Sequence, residues 1–248
     1  MDVLKVVAEG ATTSFRYPHF ILGVQPTYEM PPPSTIYGHI CSALGDLVDP
    51  GGVRFAYHFT HAGLVEDLEH VHVLSPSTGK LPGTAIPKVL EGNVNPFRRW
   101  LIFQPRLTLY INHLGWESAF RSPRYPVALG RSQDLFTYTS VERVSIEESA
   151  DAYFEATLAP YRMARRTGSG VVVLMPRFLN HERNRAPNFS QYVMLRNRIF
   201  SRDLLYFGDE PAETYWTDPS EPIIRGCKLG LFFHSFEEGP DGPSAPLA

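Results

Sequence analysis

Residues 14–46, SFRYPHFILGVQPTYEMPPPSTIYGHICSALGD, constrain the fold more than any other stretch of the chain. Pro31, Pro32 and Pro33 hold the backbone extended, because each ring fixes φ and disfavours the α region in the residue before it. Ser34 is then placed to cap a helix. Ile36, Ile40, Leu44 and Leu47 recur at three- and four-residue spacing, which predicts a helix over Ser34–Leu47 with one apolar stripe, while Thr35, His39, Ser42 and Asp46 face elsewhere. Gly38 removes a side chain one turn in and lets a neighbour approach closely. A helix opening in this way leaves backbone N–H groups free beside Tyr28, Ser34 and Thr35, a geometry that suits a phosphate. The same residues also fit an ordinary helix start.

Upstream, Val3–Ala8 reads as a strand that Thr12–Arg16 continues after Gly10. Downstream, Asp49-Pro50-Gly51-Gly52 stops the helix, and Val53–Thr60 and Leu64–Leu74 read as a hairpin turning near Gly63. Strand, helix, strand, strand is two-thirds of a ferredoxin-like unit, the fold also used by RNA-recognition modules. Ser75–Pro96 holds four prolines, no clear period, and the cations Lys80 and Lys88. Trp100–Asn112 alternates as one strand, with Pro105 at an edge or bulge. Tyr125–Ser132 is a proline-to-glycine turn in which Gly130, Arg131 and Ser132 suit a phosphate or sugar contact, or a plain loop. Phe136–Ile146 returns to the sheet. Val171–Met175 reads as a buried strand, His181–Asn188 as a basic loop, and Gln191–Leu205 as a helix or two short strands.

A chain of 248 residues with 43% hydrophobic and 20% charged residues can bury a sizeable core in one large domain or two small ones. No signal peptide or membrane span is read from it, so a cytoplasmic location and no membrane partner are expected. The net charge of −3 conceals an asymmetry: nine arginines against Glu182 alone over residues 158–202, then nine acids against Arg225 and Lys228 from Asp203 onward. That segregation suggests one surface for a polyanion. Nineteen arginines against four lysines favour forked phosphate contacts and base stacking. Arg16-Tyr17, Arg99-Trp100, Arg124-Tyr125 and Tyr161-Arg162 set aromatic planes beside cations, a pairing that suits single-stranded RNA.

Cys41 and Cys227 have no CxxC spacing, which excludes a disulfide framework and a zinc knuckle. His58, His61, His70 and His72 supply no third ligand on one face, so no metal is expected. Nucleophile motifs, a Walker loop and a dinucleotide fingerprint are absent, and no cofactor is expected.

Several of these blocks together resemble the Cas-five family, the subunit of CRISPR Cascade surveillance complexes that holds the 5′ end of the guide RNA. They are Ser14-Phe15-Arg16 after an opening strand, Gln25-Pro26-Thr27-Tyr28, Pro32-Pro33-Ser34-Thr35, Gly38 through Leu44-Gly45, and Tyr125–Ser132. They cover about a fifth of the chain, in the family's order. The resemblance implies an α+β, ferredoxin-like RAMP-type fold, with residues 1–150 as the RNA-binding domain and a thumb-like hairpin inserted at about 75–99. Residues 151–238 would then be an arginine-rich extension packed on that domain, and 239–248 a disordered tail.

It further implies a non-catalytic subunit for crRNA 5′-handle binding and assembly in type I antiviral defence. The partners would be the Cascade backbone subunit, the large subunit and, through the complex, target DNA. Residue chemistry and resemblance together nominate Arg16, Tyr28, Ser34, Thr35, Tyr37, Gly38, Lys80, Lys88, Arg98, Arg99, Gly130, Arg131, Ser132, Arg162, Arg165 and Arg166 for RNA contact. Gly130→Val is expected to weaken binding while sparing the fold. Two alternatives stand beside this reading. One is a metal-independent endoribonuclease acting on precursor crRNA, for which Tyr37, His39 and Lys88 would be the grouping. The other is a non-CRISPR RNA-binding module of the same fold.

Overall fold

A computed structural model describes residues 1–20, 23–205 and 213–237; the tail expected at 239–248 lies outside them. The chain opens with β1 (Asp2–Gly10), β2 (Thr12–Thr13), β3 (Phe15–Arg16), β4 (Val24–Gln25) and β5 (Thr27–Tyr28), then α1 (Pro33–Leu44). Next come β6 (Arg54–Thr60), β7 (Gly63–Pro76), β8 (Leu90–Phe103), β9 (Arg106–Ile111), α2 (Glu117–Arg121) and β10 (Phe136–Ser145). β10, β1, β9 and β6 lie side by side in that order, every neighbour antiparallel. With α1 and α2 as the two crossovers, this is the ferredoxin-like βαββαβ arrangement. The fold is therefore α+β and mostly antiparallel.

Alternation along the strands builds two interfaces. Leu4, Val6 and Ala8 of β1, Phe55, Tyr57 and Phe59 of β6, and Leu107, Leu109 and Ile111 of β9 join Ile36 and Ile40 in one core. Each such aliphatic or aromatic side chain contributes roughly 1.5 to 3 kcal/mol by leaving water. Val3, Ala56 and Tyr110 point the other way into a second core with Tyr153, Leu229 and Leu231.

α1 differs from expectation at both ends. Pro32 is its N-cap residue and Pro33 its first turn, so Ser34 sits inside the helix and makes no capping bond. Proline's fixed φ starts the helix without a side-chain cap. The helix stops at Gly45, whose φ of 84° is left-handed and whose N–H donates to Cys41 O at 2.8 Å. Leu47 consequently lies beyond the stripe and is exposed, whereas His39 is buried.

The hairpin expected between Val53–Thr60 and Leu64–Leu74 does not form. Both edges of β6 are taken, by β9 and by β19 (His234–Ser235), and β7 pairs instead with β8 along its whole length, from Gly63↔Phe103 to Pro76↔Leu90. The two-stranded ribbon therefore runs from Gly63 to Phe103, with its tip at residues 77–89. Ser75–Arg99 is only part of it. Trp100–Asn112 is two strands in two sheets, broken where Gln104 takes a φ of 49° before Pro105. β2 and β4 pair the second edge of β8 at residues 102–103 and 98–99, anchoring the ribbon's base.

The remainder comprises β11 (Glu147–Ser149), β12 (Ala152–Phe154), β13 (Thr157–Pro160), β14 (Val171–Asn180), β15 (Ala186–Leu195), β16 (Ile199–Phe200), β17 (Tyr215–Asp218), β18 (Lys228–Leu231) and the returning β19. The open alternative for Gln191–Leu205 resolves as two strands. β14 is longer than expected, and of its first five residues only Val173 and Met175 are buried. The sheet β13-β15-β14 lies on the helix side, where Val173, Met175, Tyr192 and Met194 enter the first core.

The sheet β11-β17-β18-β12-β16 covers the opposite face, pinned by buried Lys5, whose Nζ meets Asp218 Oδ2 and Glu221 Oε1 at 2.7 Å each. Burial alone would lower the Lys5 pKa, and bonds to Asp218 and Glu221 more than offset it. Among the described residues, no helix is long and apolar enough to cross a membrane.

Candidate nucleic-acid interface

Covering the sheet's second face removes the platform on which four-stranded RNA-recognition modules stack bases. Any strand of RNA must be met elsewhere, and the structure sorts the nominated residues into those already committed to the fold and those that are open.

The start of α1 belongs to the first group. Thr35 N–H and Ile36 N–H both donate to Pro32 O, at 2.8 and 3.2 Å, and Pro33 has no N–H. The Thr35 and Ile36 amides are therefore taken within the helix and Pro33 has none to give, which leaves fewer free amides at this helix start than the sequence suggests. Tyr28 and Tyr37 are buried rather than presented to a ligand. The Tyr28 hydroxyl donates to Leu174 O at 2.6 Å and its ring stacks on Tyr17 at 3.7 Å, while the Tyr37 hydroxyl donates to Val48 O. A tyrosine read beside prolines and a helix start carries no local sign of which way its ring turns. Ser34 and Thr35 are half-buried, and Gly38 is exposed with open space where a Cβ would stand.

The mid-chain turn is locked as well. Gly130 takes a φ of 100°, and a Cβ there would strike Thr13 Oγ1 and stand 2.9 Å from Ser14 O. Glycine is thus required for packing against β2, and the expectation that valine would spare the fold fails. Asp134, almost fully buried, accepts from Arg131 N at 3.0 Å, from Nε at 2.9 Å and from Nη2 at 2.7 Å. The Arg131 fork is therefore occupied, and the carboxylate raises its pKa.

Glu69 of β7 then ties the turn to the ribbon, meeting Arg99 Nε at 2.5 Å and Arg131 Nη1 at 3.4 Å. His39 ties the turn to α1: Nδ1 donates to Ala128 O at 2.9 Å and Nε2 accepts from Tyr138 Oη at 3.0 Å. Complete burial holds its pKa below the usual histidine value, which keeps it neutral. With Tyr37 and His39 buried in different contacts and Lys88 by the ribbon tip, the nuclease grouping is not assembled.

The arginine-rich segment is only partly free. Arg162 and Arg166 both hold Glu213, the former at 2.6 Å, and Arg166 is buried. Burial would raise the Glu213 pKa, and the two guanidinium groups bring it down instead. Arg196 holds Glu29 at 2.6 Å and Arg198 holds Glu155 at 2.7 Å. Arg162 and Arg166 thus meet an acid of the downstream segment, while Arg196 and Arg198 meet acids elsewhere in the chain, so part of the charge that looks segregated in sequence is paired in space. Arg162 and Arg166 are fold contacts.

Open residues gather at the base of the ribbon. Arg16 on β3 is exposed. Arg98 is largely exposed, with Glu66 3.5 Å away, and lies beside Val24 of β4. The loop after β3 adds His19 and Phe20 to the Arg16-Tyr17 pair read from the sequence. Tyr17 packs edge-on against Phe20 at 6.0 Å, His19 stacks with Phe189 of β15 at 5.9 Å, and about half of Phe20 is exposed. The run Arg16-Tyr17-Pro18-His19-Phe20 was the available signal. Ser132 and Arg165 are exposed too, Lys80 lies open at the ribbon tip, and Lys88 pairs with Glu91 at 3.1 Å. Among the described residues, no group of three His, Cys, Asp or Glu side chains is placed to hold a metal ion.

No protein-family model matches the chain, and no curated protein matches it. Among solved structures it is similar to a CRISPR RNA-guided surveillance complex, with a TM-score of 0.48 and 14% identity over 80% of this chain and 89% of that one. It is also similar to a CRISPR protein from Archaeoglobus fulgidus, with a TM-score of 0.45 and 11% identity over 89% of this chain and 97% of that one.

Proposed function

We propose that this chain is a non-catalytic, Cas-five-like subunit of a type I CRISPR Cascade that holds the 5′ handle of the crRNA for antiviral defence. One observation carries the reading: between the second and third strands of the ferredoxin-like sheet stands a long ribbon whose base is flanked by exposed Arg16 and Arg98 and by the Tyr17-His19-Phe20 aromatic loop. Guanidinium forks neutralise phosphates, and aromatic faces accept bases whatever their sequence.

In this reading the distal ribbon serves assembly. Leu68, Leu74, Leu90 and Val94 share one exposed face of it, an apolar surface for the Cascade backbone subunit. The large subunit and, through the complex, target DNA are the remaining partners.

The test is sequencing of the RNA that co-purifies with the protein and its neighbours in the genome. A single repeat-derived 5′ end is expected. Heterogeneous cellular RNA would favour a general RNA-binding module, and repeat RNA cleaved by the pure protein to 2′,3′-cyclic phosphate ends would make it a nuclease.

A further inference from the structure

Beside the aromatic loop a cleft of about 270 Å³ opens where Glu29 and Met30, the end of β6, and the loops around Ala156 and Arg196 meet. Its floor is apolar: Met30 and Phe59 are buried, and Ala156 is held at a φ of 45° with its carbonyl accepting from Phe59 N–H at 2.7 Å. One wall is the Glu29–Arg196 pair, its carboxylate mostly buried and its guanidinium about half exposed, so the pair presents one acceptor and one donor fork side by side. The other wall is His61. Its Nδ1 is buried and has no hydrogen-bond partner among the described residues. An apolar slot with a few convergent polar groups is the usual form of a small-molecule subsite.

We propose that this cleft is a nucleobase subsite selective for guanine; as a site for a base within a strand it rests on the RNA-binding reading above. Around its rim guanine offers two neighbouring acceptors, N7 and O6, on the Hoogsteen edge and then two donors, N1–H and the N2 amino group, on the adjoining Watson–Crick edge. The acceptors match an arginine fork, and the donors match the carboxylate beside it. Adenine sets an amino donor where guanine has O6 and an acceptor where guanine has N1–H. It would therefore face both side chains with the wrong partner. The base plane fills the slot over Met30 and Phe59, with the His61 ring among the residues that line it.

The experiment titrates the whole protein with guanosine, adenosine and uridine, following the His61 imidazole by NMR. A parallel series uses ten-nucleotide RNAs in which single guanosines are replaced by inosine, which lacks the N2 amino group. Guanosine is expected to bind and to shift the His61 resonances, with adenosine weaker by roughly tenfold or more. Arg196→Gln and Glu29→Gln, each checked by thermal melting, should lose roughly tenfold in guanosine affinity while remaining folded.

The arms separate the two claims. Guanosine binding without RNA binding would leave the cleft assigned, to a free nucleotide, and sink the RNA reading. Normal RNA binding that ignores inosine at every position, together with no guanosine preference, would overturn the cleft alone. Equal affinity for all three nucleosides, none at millimolar concentration, or folded cleft variants that bind guanosine as the parent does would overturn it as well.

Discussion

The turn around Gly130 and the ribbon of β7 and β8 meet at Glu69 and are built in opposite ways. In the turn, the described polar groups of Arg131 and Asp134 find partners within the chain, and Gly130 has no room for a methyl group. In the ribbon beyond Arg98, side chains on both faces stand in water, Leu74 and Leu90 on one and Val73 on the other, and residues 90–97 of β8 pair with no described strand other than β7. A two-stranded ribbon is marginal by itself, so this one relies on its anchored base and, in the proposed assembly, on a partner. Polar residues that looked ligand-binding in the turn are architectural, whereas the ribbon and its base hold the surface that is left to bind.

Substitutions can break that contrast, and the largest effect belongs to the turn. Gly130→Val combines a left-handed backbone with a collision, and should destabilise the fold by roughly 2 to 5 kcal/mol in chemical denaturation. A melting curve unchanged from the parent would show that the turn is not locked. Asp134→Ala strands the Arg131 fork and backbone N–H, at a cost of about 3 kcal/mol.

Next comes pH. His39 is held neutral by burial, so the unfolded chain takes up a proton near the ordinary value of 6.5 while the folded chain does not. Its contribution is complete above that pH and is lost as pH falls below it, by up to about 1.4 kcal/mol per unit from this one group. His58 and His113 shift the same way, so His39→Gln should flatten the acid limb only in part. Smallest is the ribbon: Leu74→Ser with Val94→Ser should change stability by less than about 0.5 kcal/mol, because both side chains are already exposed. The same pair should reduce recovery of the assembled complex in co-purification.

What the sequence made legible follows the range of the interactions involved. The opening strand, the helix behind the prolines, and the strand after the glycine turn are written in local periodicity, and they form. The partner of β7 is not local: glycine at position 63 marks a bend without saying which strand pairs next. The prolines at 76, 87 and 96 read as loop although two of them sit in a ladder against β7 or within it. Charge was misleading for the same reason. Arg166 finds Glu213 across 47 residues and Lys5 finds Asp218 across 213, so segment sums cannot tell a free cation from a paired one. Burial of Tyr28, Tyr37 and His39 is likewise settled by elements far along the chain. Tyr28 bonds Leu174, His39 bonds Ala128 and Tyr138, and Tyr37 packs edge-on against Phe178 and Phe236.

The most direct test of the account is the salt dependence of affinity for a repeat-derived single-stranded RNA, measured for the parent, for Arg16→Gln with Arg98→Gln, and for Arg162→Gln. Each phosphate neutralised on a single strand contributes about 0.7 to the slope of log affinity against log salt. The ribbon-base pair should lower that slope by about 1.4 with little change in melting temperature. Arg162→Gln, removed from its contact with Glu213, should leave the slope unchanged and cost stability instead. A slope untouched by the first substitution and reduced by the second would contradict the account.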